Sequence, residues 1–198
     1  LRFLLRFADS LCELLKSTRR NPARRPRLRF EDTLTSTITV PKPWVFVTGH
    51  LGVFELQSLW AEKFRTRILV VVRTPKKWLT RKLVSFIRRR IGTEVLDKRN
   101  VVRGTIAAMS EGASVGIFAD QNAGYHGDFV PFLGFMASTS RLPAMLALKF
   151  QKPIVMAFIR RDGPEHVTWI EKVIMPNPAA DPEAEERRML EEMNATFT

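Results

Sequence analysis

Apolar residues recur at helical spacing through residues 1–16, with basic and acidic residues on the other side. This pattern predicts an amphipathic helix, which either packs on the rest of the chain or lies on a membrane surface. Six arginines and two prolines follow between residues 19 and 29, and they predict a basic loop. We therefore expect residues 1–30 to form an amphipathic helix and a basic loop ahead of the main domain. A positive segment beside an apolar helix is attracted to an anionic lipid surface.

From residue 44 onward, short apolar β-prone runs alternate with helical patterns. The strands are predicted at residues 44–48, 68–72, 114–119, 153–159 and 167–174, and the helices at 52–64, 76–91, 100–110 and 138–150. Buried-type strands that alternate with helices indicate an α/β fold. We expect a single-domain sandwich in which helices flank a mostly parallel or mixed central sheet. This domain spans residues 31–198, and its last helix, from residue 181, reads as cut short at the C-terminus.

Composition narrows the class of partner. The chain of 198 residues carries a formal net charge of +12, which favours anionic lipid, an acidic carrier protein or nucleic acid. Nucleic acid lacks support, because no recognition module is found and aromatic residues do not interleave with the arginines. The single cysteine excludes an intrachain disulfide. His126 has no second ligand at a suitable spacing, so we expect no metal.

The run from Thr48 to Glu55 lies where a buried strand ends and a helix begins, which is where α/β folds place ligands. On one regular helix His50 and Glu55 would point ~140° apart. We therefore expect His50 to precede the helix and Glu55 to reach back from its first turns. Glu55 would then accept the ring N–H and fix the tautomer, while His50 accepts a proton from a hydroxyl. The alternative is a structural histidine at a helix start.

Two further polar groups follow buried strands. Arg73 and Lys76 come after the strand at 68–72, where they form either an anion clamp or a solvated basic loop. Asp120 and Gln121 come after the strand at 114–119, where we expect them either to bind hydroxyl groups of a substrate or to orient Arg73. A basic helix face between residues 81 and 103 is either solvated or a docking surface for an acidic carrier protein or lipid headgroups.

The same segments carry a family resemblance. The run from His50 to Glu55 resembles the His-x-Gly-Asn-Trp-Glu motif of bacterial lipid A biosynthesis acyltransferases, within the glycerolipid acyltransferase superfamily, with Val53 and Phe54 in place of Asn and Trp. Six further segments match family motifs in order, at residues 72–77, 90–92, 111–121, 130–134, 137–139 and 153–160. The resemblance covers residues 44–175.

The resemblance implies a function and a site. It implies transfer of a fatty acyl group, from acyl carrier protein or coenzyme A, to a hydroxyl of an anionic membrane glycolipid without a cofactor. His50 and Glu55 are the implied catalytic pair, and the implied substrate-binding residues are Arg73, Lys76, Arg90, Asp120, Gln121, Phe132, Gly134 and Thr139.

A lipid A precursor is the expected acceptor. A mannosylated phosphatidylinositol is the alternative acceptor, and a non-catalytic peripheral membrane module is the alternative of another class. We expect the protein at the cytoplasmic face of the inner membrane, peripheral or anchored by a segment outside this chain.

Overall fold

Parallel strand pairing organises this molecule. The computed structural model describes residues 12, 16, 26–31, 38, 40–53, 56–57, 60–72, 78, 82, 86, 94–97 and 100–197. Within these residues the strands are β1 Arg27–Glu31, β2 Val45–Thr48, β3 Ile68–Val72, β4 Glu94–Asp97, β5 Ser114–Phe118, β6 Asp128–Phe132, β7 Phe135–Thr139, β8 Ile154–Asp162 and β9 Glu165–Ile174. The helices are α1 Trp60–Lys63, α2 Val101–Ser110, α3 Leu142–Phe150 and α4 Pro182–Ala195, with a 3₁₀ turn at Gly124–His126.

The described strands form one large sheet and one hairpin. Seven of them lie in the order β1-β9-β8-β2-β5-β3-β4, while β6 and β7 form a separate antiparallel pair. Every neighbour in the large sheet is parallel except β8 and β9. This mixed sheet with flanking helices confirms the predicted α/β fold class.

Side chains of the strands alternate between two apolar cores on opposite faces of the sheet. Val45 and Val47 of β2 face one core, which also contains buried residues of α3 and α4. Trp44 and Phe46 face the other core, where they pack against Trp60 of α1. Both faces of β2 are therefore covered, as its unbroken apolar sequence predicts.

A buried carboxylate, paired with a partly exposed arginine, fixes α4. The Glu185 side chain is 3% exposed, and Oε1 and Oε2 accept hydrogen bonds from the Arg188 guanidinium at 2.6 and 2.8 Å. Oε1 also accepts a hydrogen bond from the Asn177 backbone N–H at 2.8 Å. The Arg188 guanidinium is the main reason that the pKa of Glu185 lies below its ordinary value, with the Asn177 N–H adding to the effect. This cluster joins the segment after β9 to α4.

The structure differs from the predicted elements in four places, and one of them is β4, which lies where no element was predicted. β1 begins at Arg27, within the segment that we expected to be a loop. Gly52 and Val53 lie in a bend, so the helix predicted from residue 52 does not begin there. The helix predicted from residue 138 begins at Leu142, and residues 128–139 form the β6–β7 hairpin instead.

Candidate active site

The site lies at the carboxyl ends of β2 and β5, the edge where parallel sheets place ligands. β2 and β5 are parallel neighbours whose register pairs Thr48 with Phe118. His50 and Asp120 each follow the paired residue by two positions. The pairing of the strands therefore brings these two side chains together, although 70 residues separate them in sequence.

Asp120 holds His50 at two points. Asp120 Oδ1 lies 2.8 Å from His50 Nδ1, and Asp120 Oδ2 accepts a hydrogen bond from the His50 backbone N–H at 2.7 Å. A carboxylate only accepts hydrogen bonds, so Nδ1 is the protonated ring nitrogen. In the neutral imidazole Nε2 is then the nitrogen with a lone pair. The contact with Asp120 thus selects the tautomer that a general base needs.

The His50 ring is positioned in a partly open site. The side chain of His50 is 35% exposed and that of Asp120 is 24% exposed, so substrate can reach the pair. The ring also lies against Phe118, with centroids 4.7 Å apart. Phe118 covers one side of the imidazole, which limits the orientations of the ring to those near Asp120.

One glycine allows the chain to turn at this point, and a second leaves room for Asp120 and Phe197. Gly52 has a φ of +57°, and a Cβ there would lie 3.0 Å from the backbone oxygen of Ile159. A Cβ on Gly49 would lie 3.3 Å from Asp120 Oδ2 and 3.1 Å from Phe197 Cε1. A side chain at position 49 would therefore press on the carboxylate that holds His50.

Gln57 is hydrogen-bonded to the end of β2, next to the site. This buried side chain donates from Nε2 to Thr48 Oγ1 at 2.9 Å and to the Ala157 carbonyl at 3.4 Å. Thr48 is the last residue of β2 and comes two positions before His50. Gln57 was not predicted from the sequence, where its one signal is a polar residue on the apolar side of a helical run.

A row of aromatic rings connects the site to the β6–β7 hairpin. Phe197 lies next to Gly49, as described above, and its ring centroid is 6.0 Å from that of Phe132 and 5.5 Å from that of Phe158. Phe132 was predicted to bind substrate, and the structure places it one ring away from the site. Phe197 follows α4, and its role was not visible from the sequence because it depends on tertiary packing.

Gly134 and Thr139 belong to the same hairpin. Gly134 lies in the turn, with a φ of +82°. Thr139 is buried, and its hydroxyl accepts a hydrogen bond from Asn194 Nδ2 at 2.8 Å. Asn194 Nδ2 also lies 3.1 Å from the Pro131 carbonyl, so this side chain ties α4 to both hairpin strands.

The remaining predicted site residues divide into two groups. Gln121 is exposed and follows Asp120 directly at the sheet edge. Glu55, Arg73, Lys76 and Arg90 lie outside the described residues, so their predicted roles stay predictions. Glu55 was expected to accept the hydrogen bond of the His50 ring N–H, whereas in the described structure Asp120 lies on that nitrogen.

Two comparisons bear on the identity of the chain. The family model described as bacterial lipid A biosynthesis acyltransferase matches residues 17–198, which confirms the resemblance drawn from the motifs. A search of curated proteins returned no match. In the part of the chain that the structure describes, no helix combines the length and the apolar character needed to cross a bilayer. Because the family match spans most of its length, this chain belongs to the bacterial lipid A biosynthesis acyltransferases and is an enzyme that acts between an acyl donor and a lipid acceptor.

Proposed function

We propose that the chain transfers a fatty acyl group from an acyl thioester to a hydroxyl of a lipid A precursor, with His50 as the general base. The observation that carries this proposal is the contact of Asp120 with His50 Nδ1 at the sheet edge. Family membership supports acyl transfer in lipid A biosynthesis. The identities of the base, the donor and the acceptor hydroxyl are the parts that we add.

The step needs no covalent enzyme intermediate. Nε2 of His50 takes the proton of the acceptor hydroxyl while that oxygen forms a bond to the thioester carbonyl carbon. The tetrahedral intermediate collapses with cleavage of the C–S bond, and the imidazolium returns its proton to the leaving thiolate. Asp120 stabilises the imidazolium during this interval, because its carboxylate stays bonded to Nδ1.

Other residues take part in binding under this proposal. Glu55 adds a second carboxylate near His50, as the sequence motif predicts. Arg73, Lys76 and Arg90 bind the phosphate groups of the acceptor, since Arg and Lys are suited to phosphate. Gln121 hydrogen-bonds acceptor hydroxyls.

The donor and the location follow from charge and substrate. The net charge of +12 favours acyl carrier protein, which is strongly acidic, over coenzyme A as the donor. Because the proposed acceptor resides in a bilayer, we also propose that the enzyme works at the cytoplasmic face of the inner membrane.

The experiment is an acyl-transfer assay with each donor and with a lipid A precursor as acceptor. Wild type should form the acylated lipid, and His50→Ala and Glu55→Ala should each lose at least about 10²-fold in turnover. Circular dichroism must show that both variants are folded. Unimpaired turnover by folded His50→Ala would refute the mechanism. Transfer only to mannosylated phosphatidylinositol would replace the proposed acceptor.

A further inference from the structure

The β6–β7 hairpin exposes four large apolar side chains, three of them in or beside its turn. Phe129 is 61% exposed, Leu133 59%, Phe135 80% and Met136 56%. We name these four residues the hairpin tip. Single exposed apolar residues are ordinary, but a cluster of large ones on one element marks an interaction surface.

The turn of the hairpin contains an unusual residue for its conformation. Leu133 and Gly134 connect the strands with φ values of +51° and +82°. A two-residue turn with positive φ at both positions favours Asn or Asp followed by Gly. A leucine there is strained by the positive φ and is also exposed to water. Neither the backbone conformation nor solubility therefore explains why leucine occupies this position.

The apolar side chains project from both faces of the hairpin. The register pairs Pro131 with Met136 and Phe132 with Phe135, and directly opposed residues share a face. Met136 therefore projects from one face and Phe135 from the other. A protein partner with one complementary surface would cover one face, whereas an apolar medium surrounds both.

Charge also separates the possible partners. Residues 129–140 contain no ionisable side chain, although 26% of the chain is charged. Arg141 follows this stretch, and its guanidinium lies 2.6 Å from Glu186 and 3.5 Å from Asp128. An acidic carrier protein needs free cations on the surface that receives it, and the hairpin tip offers none within these residues.

The hairpin lies close to the candidate active site. Phe132, on the strand before the turn, packs on Phe197, which borders Gly49. A bilayer that receives the hairpin tip would therefore lie one aromatic layer from His50. This proximity matters because the acceptor hydroxyl belongs to a lipid.

We infer that the hairpin tip inserts into the apolar region of a lipid bilayer and holds the open edge of the active site against the membrane surface. This inference rests on the proposed function for its purpose, since it explains how a base on the protein reaches a hydroxyl on a membrane lipid. Insertion of large apolar side chains is also a sufficient source of reversible membrane affinity.

The test compares two double variants of the full chain. Leu133→Asn with Phe135→Ser removes two apolar side chains from the hairpin tip, and Asn suits the positive φ of the turn. Val102→Asn with Met175→Ser is the matched control, because both residues are exposed and lie outside the hairpin, Val102 in α2 and Met175 directly after β9. Sedimentation with phosphatidylcholine vesicles, at high salt, measures partitioning without attraction to anionic lipid.

We expect the partition coefficient of the hairpin variant to fall at least about tenfold, with the control unchanged. Acyl transfer to an acceptor embedded in vesicles should fall with it, while transfer to an acceptor in detergent micelles stays at the wild-type rate. The thermal midpoint of the hairpin variant should equal or exceed that of wild type. If wild type binds vesicles through the hairpin tip but makes no product, the proposed function is refuted and the membrane inference is not.

Four results would overturn the inference itself. The first is unchanged partitioning of the hairpin variant. The second is a dimer of wild type that the variant abolishes, because the tip would then contact a second copy. The third is loss of acyl carrier protein binding with normal vesicle binding. The fourth is a clearly lower thermal midpoint, because another segment of the chain would then cover the tip.

Discussion

Replacing Asp120 by Asn isolates the contact on which the proposed mechanism depends. Asn keeps the shape of the side chain and one oxygen, which can still accept the hydrogen bond from the His50 backbone N–H. The amide NH₂ then faces Nδ1 and donates to it. The ring proton moves to Nε2, so the nitrogen that should take the substrate proton no longer has a lone pair.

The size of the effect follows from the geometry. A hydrogen bond to a charged group contributes about 1.5–3 kcal/mol, which corresponds to roughly 10- to 150-fold in rate. The wrong tautomer adds to this loss, and in a buried catalytic triad the same kind of change costs about 10⁴-fold. The His50 side chain is 35% exposed, so water screens part of the interaction. We therefore expect turnover to fall by about 10²- to 10³-fold.

The assay is single-turnover acyl transfer from acyl carrier protein, and the measured quantity is the release of the free thiol. Asp162→Asn is the control, because Asp162 is 56% exposed at the carboxyl end of β8 and pairs with Arg29 instead of His50. It should retain wild-type turnover. A folded Asp120→Asn protein with at least half of wild-type turnover would refute the proposed role of Asp120.

Three further substitutions test the supports of the site and of α4. Gly52→Ala forces a Cβ into a positive-φ position beside a backbone oxygen, so the free energy of unfolding should fall by about 1–3 kcal/mol in urea titrations. Gln57→Leu leaves the Thr48 hydroxyl without its 2.9 Å donor, so turnover should fall more than stability does, as paired kinetic and unfolding measurements would show. Glu185→Gln should cost about 1.5–3 kcal/mol at pH 7, because Arg188 loses its buried carboxylate. Because the pKa of Glu185 is lowered in the folded state, its ionised carboxylate stabilises the folded protein at pH values above the unfolded-state pKa, which is near 4.5. This stabilisation disappears as the pH falls through the folded-state pKa. The free energies of unfolding of the variant and of wild type should therefore converge in acid.

The sequence was sufficient for the strands that build the site. Unbroken apolar runs predicted β2 and β5, and two positions after the end of each strand comes a polar residue that the structure places at the sheet edge. The contact between His50 and Asp120 could not be read from either motif alone. It depends on β2 and β5 being neighbours in the sheet, and adjacency of strands is a property of the whole fold.

Strands were missed in the sequence where charged residues or an unusual turn residue obscured the strand pattern. Arg27–Glu31 alternates polar and apolar residues, which is a strand pattern, but its arginines suggested a solvated loop. Arg29 is accommodated in β1 because its guanidinium lies 3.1 Å from both Glu31 and Asp162. The β6–β7 hairpin escaped prediction because Leu133 replaces the usual Asn or Asp of its turn.

The most direct test of the account is the identity of the product. Purified enzyme is supplied with a thioester of acyl carrier protein, whose acyl chain is isotope-labelled, and with a lipid A precursor in mixed micelles. The lipids are then analysed by mass spectrometry. We predict one added labelled acyl chain with wild type and none above background with folded His50→Gln. Absence of the acylated lipid with wild type, or its undiminished formation by His50→Gln, would contradict the account.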